Sequence, residues 1–199
     1  MTENLERRNR ILKAARDIFA QEGFRDAEVK TIAKQAGVGK ATIYKHFESK
    51  DDILLKIVEE NFHALRNIAL QNLVGGGHPF DRLEKTCISM AKFLSANKAF
   101  SMVLIKEAGE FMPEIQNLHK TVVQENAQFA DAFFEALKEQ NLIPDIPNQT
   151  LLELLMNLAI GTIYAWTLNE ERDLVVDVQE LFNLWRNQIA AREALMTGE

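Results

Sequence analysis

The chain has 199 residues, of which 47% are hydrophobic, and 23 basic against 29 acidic side chains give it a net charge of −6. That suits one small and one larger unit with a sizeable core, while the single cysteine, Cys87, excludes an intramolecular disulfide framework and fits a reducing cytoplasm. The N-terminus is polar and no apolar run reaches membrane-spanning length, so neither a signal peptide nor a membrane partner is expected.

Ile11, Leu12, Ala15, Ile18 and Phe19 form one apolar helical face, which Gly23 ends and under which Phe24 tucks. Arg7, Arg8 and Arg10 precede that face, and the sequence leaves them open between phosphate contacts and solvent-facing charges. From Val29 to Phe47 the chain reads VKTIAKQAGVGKATIYKHF. Val29, Ile32 and Ala33 make the inner face of one short helix, with Ala33 small enough for a close helix crossing. Gly37 falls where a helix ends in a left-handed residue, Val38 plugs the turn, and Gly39 begins a second helix whose Ile43 and Phe47 point inward. Lys40, Thr42, Tyr44, Lys45 and His46 are left to its other faces. This is a helix-turn-helix pattern, whose second helix fits a DNA major groove and can donate to phosphates and base edges.

The charge distribution agrees. Residues 30–50 hold Lys30, Lys34, Lys40, Lys45 and Lys50 against Glu48 alone, a net +4 inside an acidic chain. Such a patch suits DNA approached from one side. Lysines alone would equally describe a solvated helix face; the joint spacing of Ala33, Gly37 and Ile43 favours the DNA reading.

Ser49 followed by Asp52 resembles a capping box with Asp in place of Glu. It opens a helix from Lys50 to about Leu73, closed by Gly75-Gly76-Gly77. Pro79 starts the next helix, with Phe80, Leu83, Cys87, Met90, Ala91 and Leu94 on one face. After a break near Ala96-Asn97 comes a segment with Phe100, Val103, Leu104 and Phe111. Pro113 is expected to open a long helix striped by Ile115, Leu118, Val122, Phe129, Phe133 and Leu137, with Pro144 and Pro147 closing it. Two helices follow, from Asn148 to about Asn169 and from about Leu174 to Leu195. The first is apolar nearly all round, so both of its faces must be covered.

Nothing points to catalysis. His46, His63, His78 and His119 have no metal-binding spacing, and no nucleophile elbow or phosphate-binding glycine loop occurs. No catalytic residue, metal or cofactor is expected.

Residues 19–54, and above all Gly23-Phe24, Ile32-Ala33, Ala36-Gly37-Val38, Thr42-Ile43-Tyr44, His46-Phe47 and Ser49-Lys50, closely resemble the DNA-binding domain of TetR-type (tetracycline-repressor-like) transcriptional regulators. The resemblance implies an all-α chain: a three-helix DNA-binding domain over residues 1–50 and a ligand-binding and dimerisation domain over residues 51–199, joined by a long fourth helix. It assigns DNA contacts to Lys30, Gly39, Lys40, Thr42, Tyr44, Lys45, His46 and Lys50, with Thr42 and Lys45 nearest the bases and Tyr44, His46 and Lys50 on phosphates. Two departures stand out: Ala27-Glu28 and Gly39 occupy positions where the family usually places Ser or Thr, which weakens capping and phosphate contacts there.

The last two helices are implied to pair with their mates in a four-helix dimer interface, and a cavity among the middle helices to take a small effector. Polar residues on apolar stripes and neighbouring aromatics are the candidate lining: Cys87, Glu107, Phe111, His119, Asn126, Phe129 and Trp166. The expected function is a homodimeric DNA-binding regulator on a pseudo-palindromic operator in double-stranded DNA, repressing until a small apolar or amphipathic molecule binds. The alternative is a ligand-independent DNA-bound factor acting through protein partners, architectural or linked to cell division.

Overall fold

The computed structural model describes residues 2–106, 113–114, 117–118, 120–121, 124, 127–169 and 171–197. Every regular element among them is a helix. The chain forms two compact units, Met1–Ala64 with Asn97–Val122 and Leu65–Ala96 with Val123–Glu199.

The first unit contains α1 (Thr2–Glu22), α2 (Val29–Ala36), α3 (Lys40–His46), the first part of α4 (Lys50–Leu73) and α6 (Lys98–Lys106). The apolar face of α1 forms its centre: Ile11, Leu12, Ala15, Ile18 and Phe19 are all buried, with Ile32, Ile43, Ile53 and Leu54. Phe24 tucks under α1 as expected, its ring edge-on to Phe19 at 5.2 Å between centroids. The expected domain boundary at residue 50 needs correction. The first 15 residues of α4 belong to this unit, and so does α6, which packs against α1 with Phe100 and Ser101 buried. Phe62 on α4 meets Phe100 edge-on at 6.5 Å, an aromatic contact that ties α6 to this side of the chain.

Both ends of α4 fall where the sequence puts them. Ser49 Oγ accepts from the Asp52 amide at 3.0 Å, while Asp52 Oδ2 accepts from the Glu48 amide at 3.0 Å. The return bond thus lands on Glu48, one residue before the position that a reciprocal capping box uses.

The second unit holds the remainder of α4, α5 (Pro79–Ala96), α7 (Ala127–Glu139), α8 (Asn148–Leu168) and α9 (Leu174–Thr197). Its core gathers Phe80, Leu83, Phe133, Phe134, Leu137, Leu142, Leu151 and Phe182. Phe80 sits edge-on to both Phe182 and Trp185, at 5.6 and 5.0 Å, geometries that the aromatic quadrupole favours. Arg82 donates to the carbonyls of Leu73 and Gly75 at 2.8 and 2.9 Å and lies over the Phe133 ring. It therefore satisfies the Leu73 carbonyl that the end of α4 leaves open and one carbonyl of the glycine turn that follows. Of the stripe expected after Pro113, Ile115 and Val122 lie outside the described residues.

Helix α8 departs from expectation in two ways. It buries one face, through Leu151 and Trp166, while Leu154, Leu158, Ile160, Tyr164 and Leu168 are exposed. An 18-residue stretch of this 21-residue helix has a mean hydropathy of 1.5, so the helix is also long and apolar enough to cross a membrane, which corrects the expectation that no segment is. One side packing into a core while the other stays bare is the pattern of a docking face, and Gly161 lies in the exposed stripe between Leu158 and Tyr164. On α9, Val176 and Leu184 are likewise exposed.

Candidate nucleic-acid interface

The interface is built around the turn between α2 and α3. At the end of α2, Gly37 has φ 66° and ψ 36°, the left-handed conformation. The Val38 amide reaches the Ala33 carbonyl at 3.0 Å and the Gly37 amide reaches Lys34 at 3.3 Å. These are the two bonds of a Schellman closure. A Cβ on Gly37 would meet nothing within 4 Å, so glycine is required by backbone conformation rather than by space.

Gly39 then serves as N-cap of α3, accepting through its carbonyl from the Thr42 amide at 2.8 Å. It offers no side-chain cap, and neither does Glu28 before α2. Gly39 has φ −75° and ψ 150°, and a Cβ there would come no closer than 3.9 Å to Thr42 Oγ1. A serine therefore fits without strain.

On α3, Ile43 is buried and Phe47, just beyond the helix, is 4% exposed. These two residues anchor α3 by one side. The other side carries Lys40, Tyr44 and Lys45, all exposed, with Thr42 and His46 half-buried beside them. Lys40 Nζ lies 5.8 Å from the centre of the Tyr44 ring, within the range of a cation–π contact. Lys30 and Gly39 are exposed as well. Seven of the eight residues assigned to DNA contacts thus lie on α2, on α3 or in the turn between them.

Lys50, the eighth, has a different role in this geometry. Its Nζ donates to the carbonyls of Phe24, Arg25 and Ala27 at 2.7, 3.0 and 3.1 Å and sits 4.6 Å from the centre of the Phe24 ring. An ammonium has three donors, and all three are engaged. Lys50 pins the first residue of α4 to the loop between α1 and α2; the phosphate contact expected of it is not what this arrangement offers.

A second brace involves residues that the sequence alone does not pair. Glu60 on α4 receives Arg16 at 2.5 Å and Arg8 at 3.4 Å, both from α1. Arg8 also lies 5.5 Å from the centre of the Phe47 ring. One arginine therefore touches both α4 and the residue that closes α3. The signal available in sequence is faint: Arg8 and Arg16 lie eight apart, close to two helical turns.

The candidate effector residues divide three ways. Glu107, Phe111, His119 and Asn126 lie outside the described residues, and so does the side chain of Phe129. Cys87 packs against the core of the second unit. Burial pushes its thiol up to about 11, so it behaves as a small neutral hydrophobe. Trp166 is 5% exposed and lines an open cavity of about 310 Å³ with Lys92, Ser95, Arg172 and Leu174. Ser95 Oγ is buried there and has no hydrogen-bond partner among the described residues.

Residues 11–57 match the family described as "Bacterial regulatory proteins, tetR family". Those residues carry a TetR-family domain. Among curated TetR-family proteins the chain is similar to the HTH-type transcriptional regulator UidR of Escherichia coli K12, 28% identical over 167 residues that cover 81% of this chain and 82% of UidR. Two solved structures share the fold. One is the fatty acid degradation regulator FadR from Bacillus halodurans, with a TM-score of 0.78 at 20% identity, covering 90% of this chain and 94% of that one. The other is FadR from Bacillus subtilis in complex with stearoyl-CoA, with a TM-score of 0.75 at 20% identity, covering 88% and 96%. The match places α2 and α3 within the family's DNA-binding domain, and the chain is a DNA-binding transcriptional regulator.

Proposed function

We propose that this regulator is a homodimeric repressor acting in the cytoplasm on a pseudo-palindromic operator, released when a small apolar or amphipathic molecule binds its second unit. The observation that carries the DNA half is α3 itself, seated on Ile43 and Phe47 with Lys40, Tyr44 and Lys45 exposed. Thr42 and Lys45 are proposed to read or flank bases, and Lys30, Gly39, Lys40, Tyr44 and His46 to hold the backbone.

Dimerisation is supported by the bare faces of α8 and α9. Leu154, Leu158, Gly161, Tyr164 and Leu168 recur at helical spacing on α8, and Val176 and Leu184 on α9. A second copy would cover them through close helix packing at Gly161. A membrane would not suit them, because Glu153 and Asn157 are exposed on α8 as well. An effector is supported by the stearoyl-CoA bound to the FadR protein of the same fold. In this chain Trp166 and Cys87 are the described candidates for its surroundings.

The alternative, a factor that works through protein partners without an effector, calls for an exposed apolar patch away from the dimer face. The large exposed apolar side chains outside α8 and α9 among the described residues are Leu5, Tyr44 and Val74, each isolated in sequence, which favours the effector reading. Selection of duplexes from a random-sequence pool tests the proposal. It should return an inverted repeat bound by a protein of twice the monomer mass, with Thr42→Ala changing sequence preference and Lys45→Ala changing affinity and salt dependence. Failure to enrich any sequence would contradict it.

A further inference from the structure

The three arginines near the N-terminus of α1 are sorted by the structure into three different situations. Arg8 is turned inward, onto Glu60 and the Phe47 ring. Arg7 is paired with Glu3, one turn before it. Arg10 is exposed and has no hydrogen-bond or ion-pair partner among the described residues.

Arg10 also lines a cleft of about 550 Å³. One wall comes from α1, with Glu3, Glu6, Arg7 and Arg10; the other comes from the turn and α3, with Gly37 and Thr42. The first turns of α1 therefore run beside the end of α3 from which the groove is to be read. A duplex that brings base edges to Thr42 must carry a sugar–phosphate strand past the mouth of this cleft, because the major groove is bounded by phosphates on both sides. A guanidinium is suited to that strand, since its planar fork matches two phosphate oxygens.

We propose that Arg10 is a DNA-backbone contact supplied from outside the helix-turn-helix, and that Glu3 and Glu6 in the same cleft restrain it. The inference rests on the DNA-binding reading above. Glu3 holds Arg7 in an intrahelical pair, leaving Arg10 as the cation of this cleft that is available to a phosphate. The two carboxylates place negative charge where the strand would pass, so they weaken non-specific attachment. Binding then depends on the contacts of α3 as well as on charge.

The test is a salt titration of the duplex recovered by selection, comparing wild type, Arg10→Ala, Arg10→Lys and Arg8→Ala. Removing one phosphate-neutralising cation from each protomer of a dimer should lower its log–log salt slope by about 1.8. Between 50 and 200 mM salt, the affinity advantage of the wild type over Arg10→Ala then shrinks by about 12-fold. Arg10→Lys restores most of the slope, Arg8→Ala leaves it unchanged, and Glu6→Gln tightens binding to a non-specific duplex at low salt. Circular dichroism confirms that each variant is folded, which the exposure of Arg10 makes straightforward. A wild-type slope in Arg10→Ala, alongside a reduced slope in Lys45→Ala, would overturn this inference alone. A protein that selects no duplex overturns the DNA-binding reading and this inference together.

Discussion

Replacing Lys50 with methionine separates two roles that are hard to tell apart on paper. As a brace, its ammonium makes three bonds of 2.7 to 3.1 Å to the carbonyls of Phe24, Arg25 and Ala27 and a cation–π contact with Phe24. A hydrogen bond to a charged group is worth about 1.5–3 kcal/mol, but the three share one donor and Arg25 is exposed, so water can replace part of the loss. Counting one such bond in full and about 0.5–1 kcal/mol for the ring contact, Lys50→Met should destabilise the first unit by about 2–4 kcal/mol. In a chain of this length that corresponds to a fall in Tm of roughly 4–16 °C. Thermal melts followed by circular dichroism measure it, and amide exchange at residues 24–28 and 50–54 localises it. The salt slope of DNA binding, read well below the melting transition, should match wild type. An unchanged Tm with a slope lowered by about 2, as expected when each protomer neutralises one phosphate fewer, would refute the brace.

Other variants test other parts of the molecule. Gly37→Ala should cost about 1–2 kcal/mol in urea unfolding, the penalty of a left-handed non-glycine residue, because its Cβ would touch nothing within 4 Å; a neutral result would mean that the turn relaxes. Leu158→Glu should leave a folded chain of 22.7 kDa rather than twice that by light scattering, and a persistent dimer would move the interface elsewhere. The Cys87 thiol, pushed up to about 11 by burial, holds its proton in the folded state while the unfolded thiol loses its own near 9. The folded state then binds more protons, so this group's contribution is intact below pH 9 and disappears as pH rises towards 11. Stability profiles of wild type and Cys87→Ala should therefore converge over that window, and parallel profiles would contradict the burial.

Local chemistry makes much of this legible in the sequence. Gly37 announces its left-handed turn because few other residues tolerate it. Ser49, Asp52 and the glycine triplet bracket α4, since capping and chain-breaking are short-range events. Ile43 and Phe47 announce the buried side of α3 by their spacing, and with it the exposed side. Lys50 misleads because a lysine at a helix start looks like any phosphate donor. Only the path of the loop from Phe24 to Ala27 brings three carbonyls to its ammonium. The place of α6 is equally hidden, for Phe62 and Phe100 meet across 38 positions and no periodicity encodes that pairing. The bare stripe on α8 is half legible: its all-round apolarity demands cover on both faces, and the chain supplies cover for one.

In the proposed dimer, two copies of α3 enter successive major-groove turns of one duplex face. Hydroxyl-radical footprinting of the purified protein on its selected duplex tests this arrangement. It should show two protected windows related by a dyad, their centres about 34–36 Å apart or a multiple of that spacing, with Lys45→Ala needing more protein to reach the same protection. A single asymmetric window, or protection that Lys45→Ala reaches at the wild-type protein concentration, would contradict it.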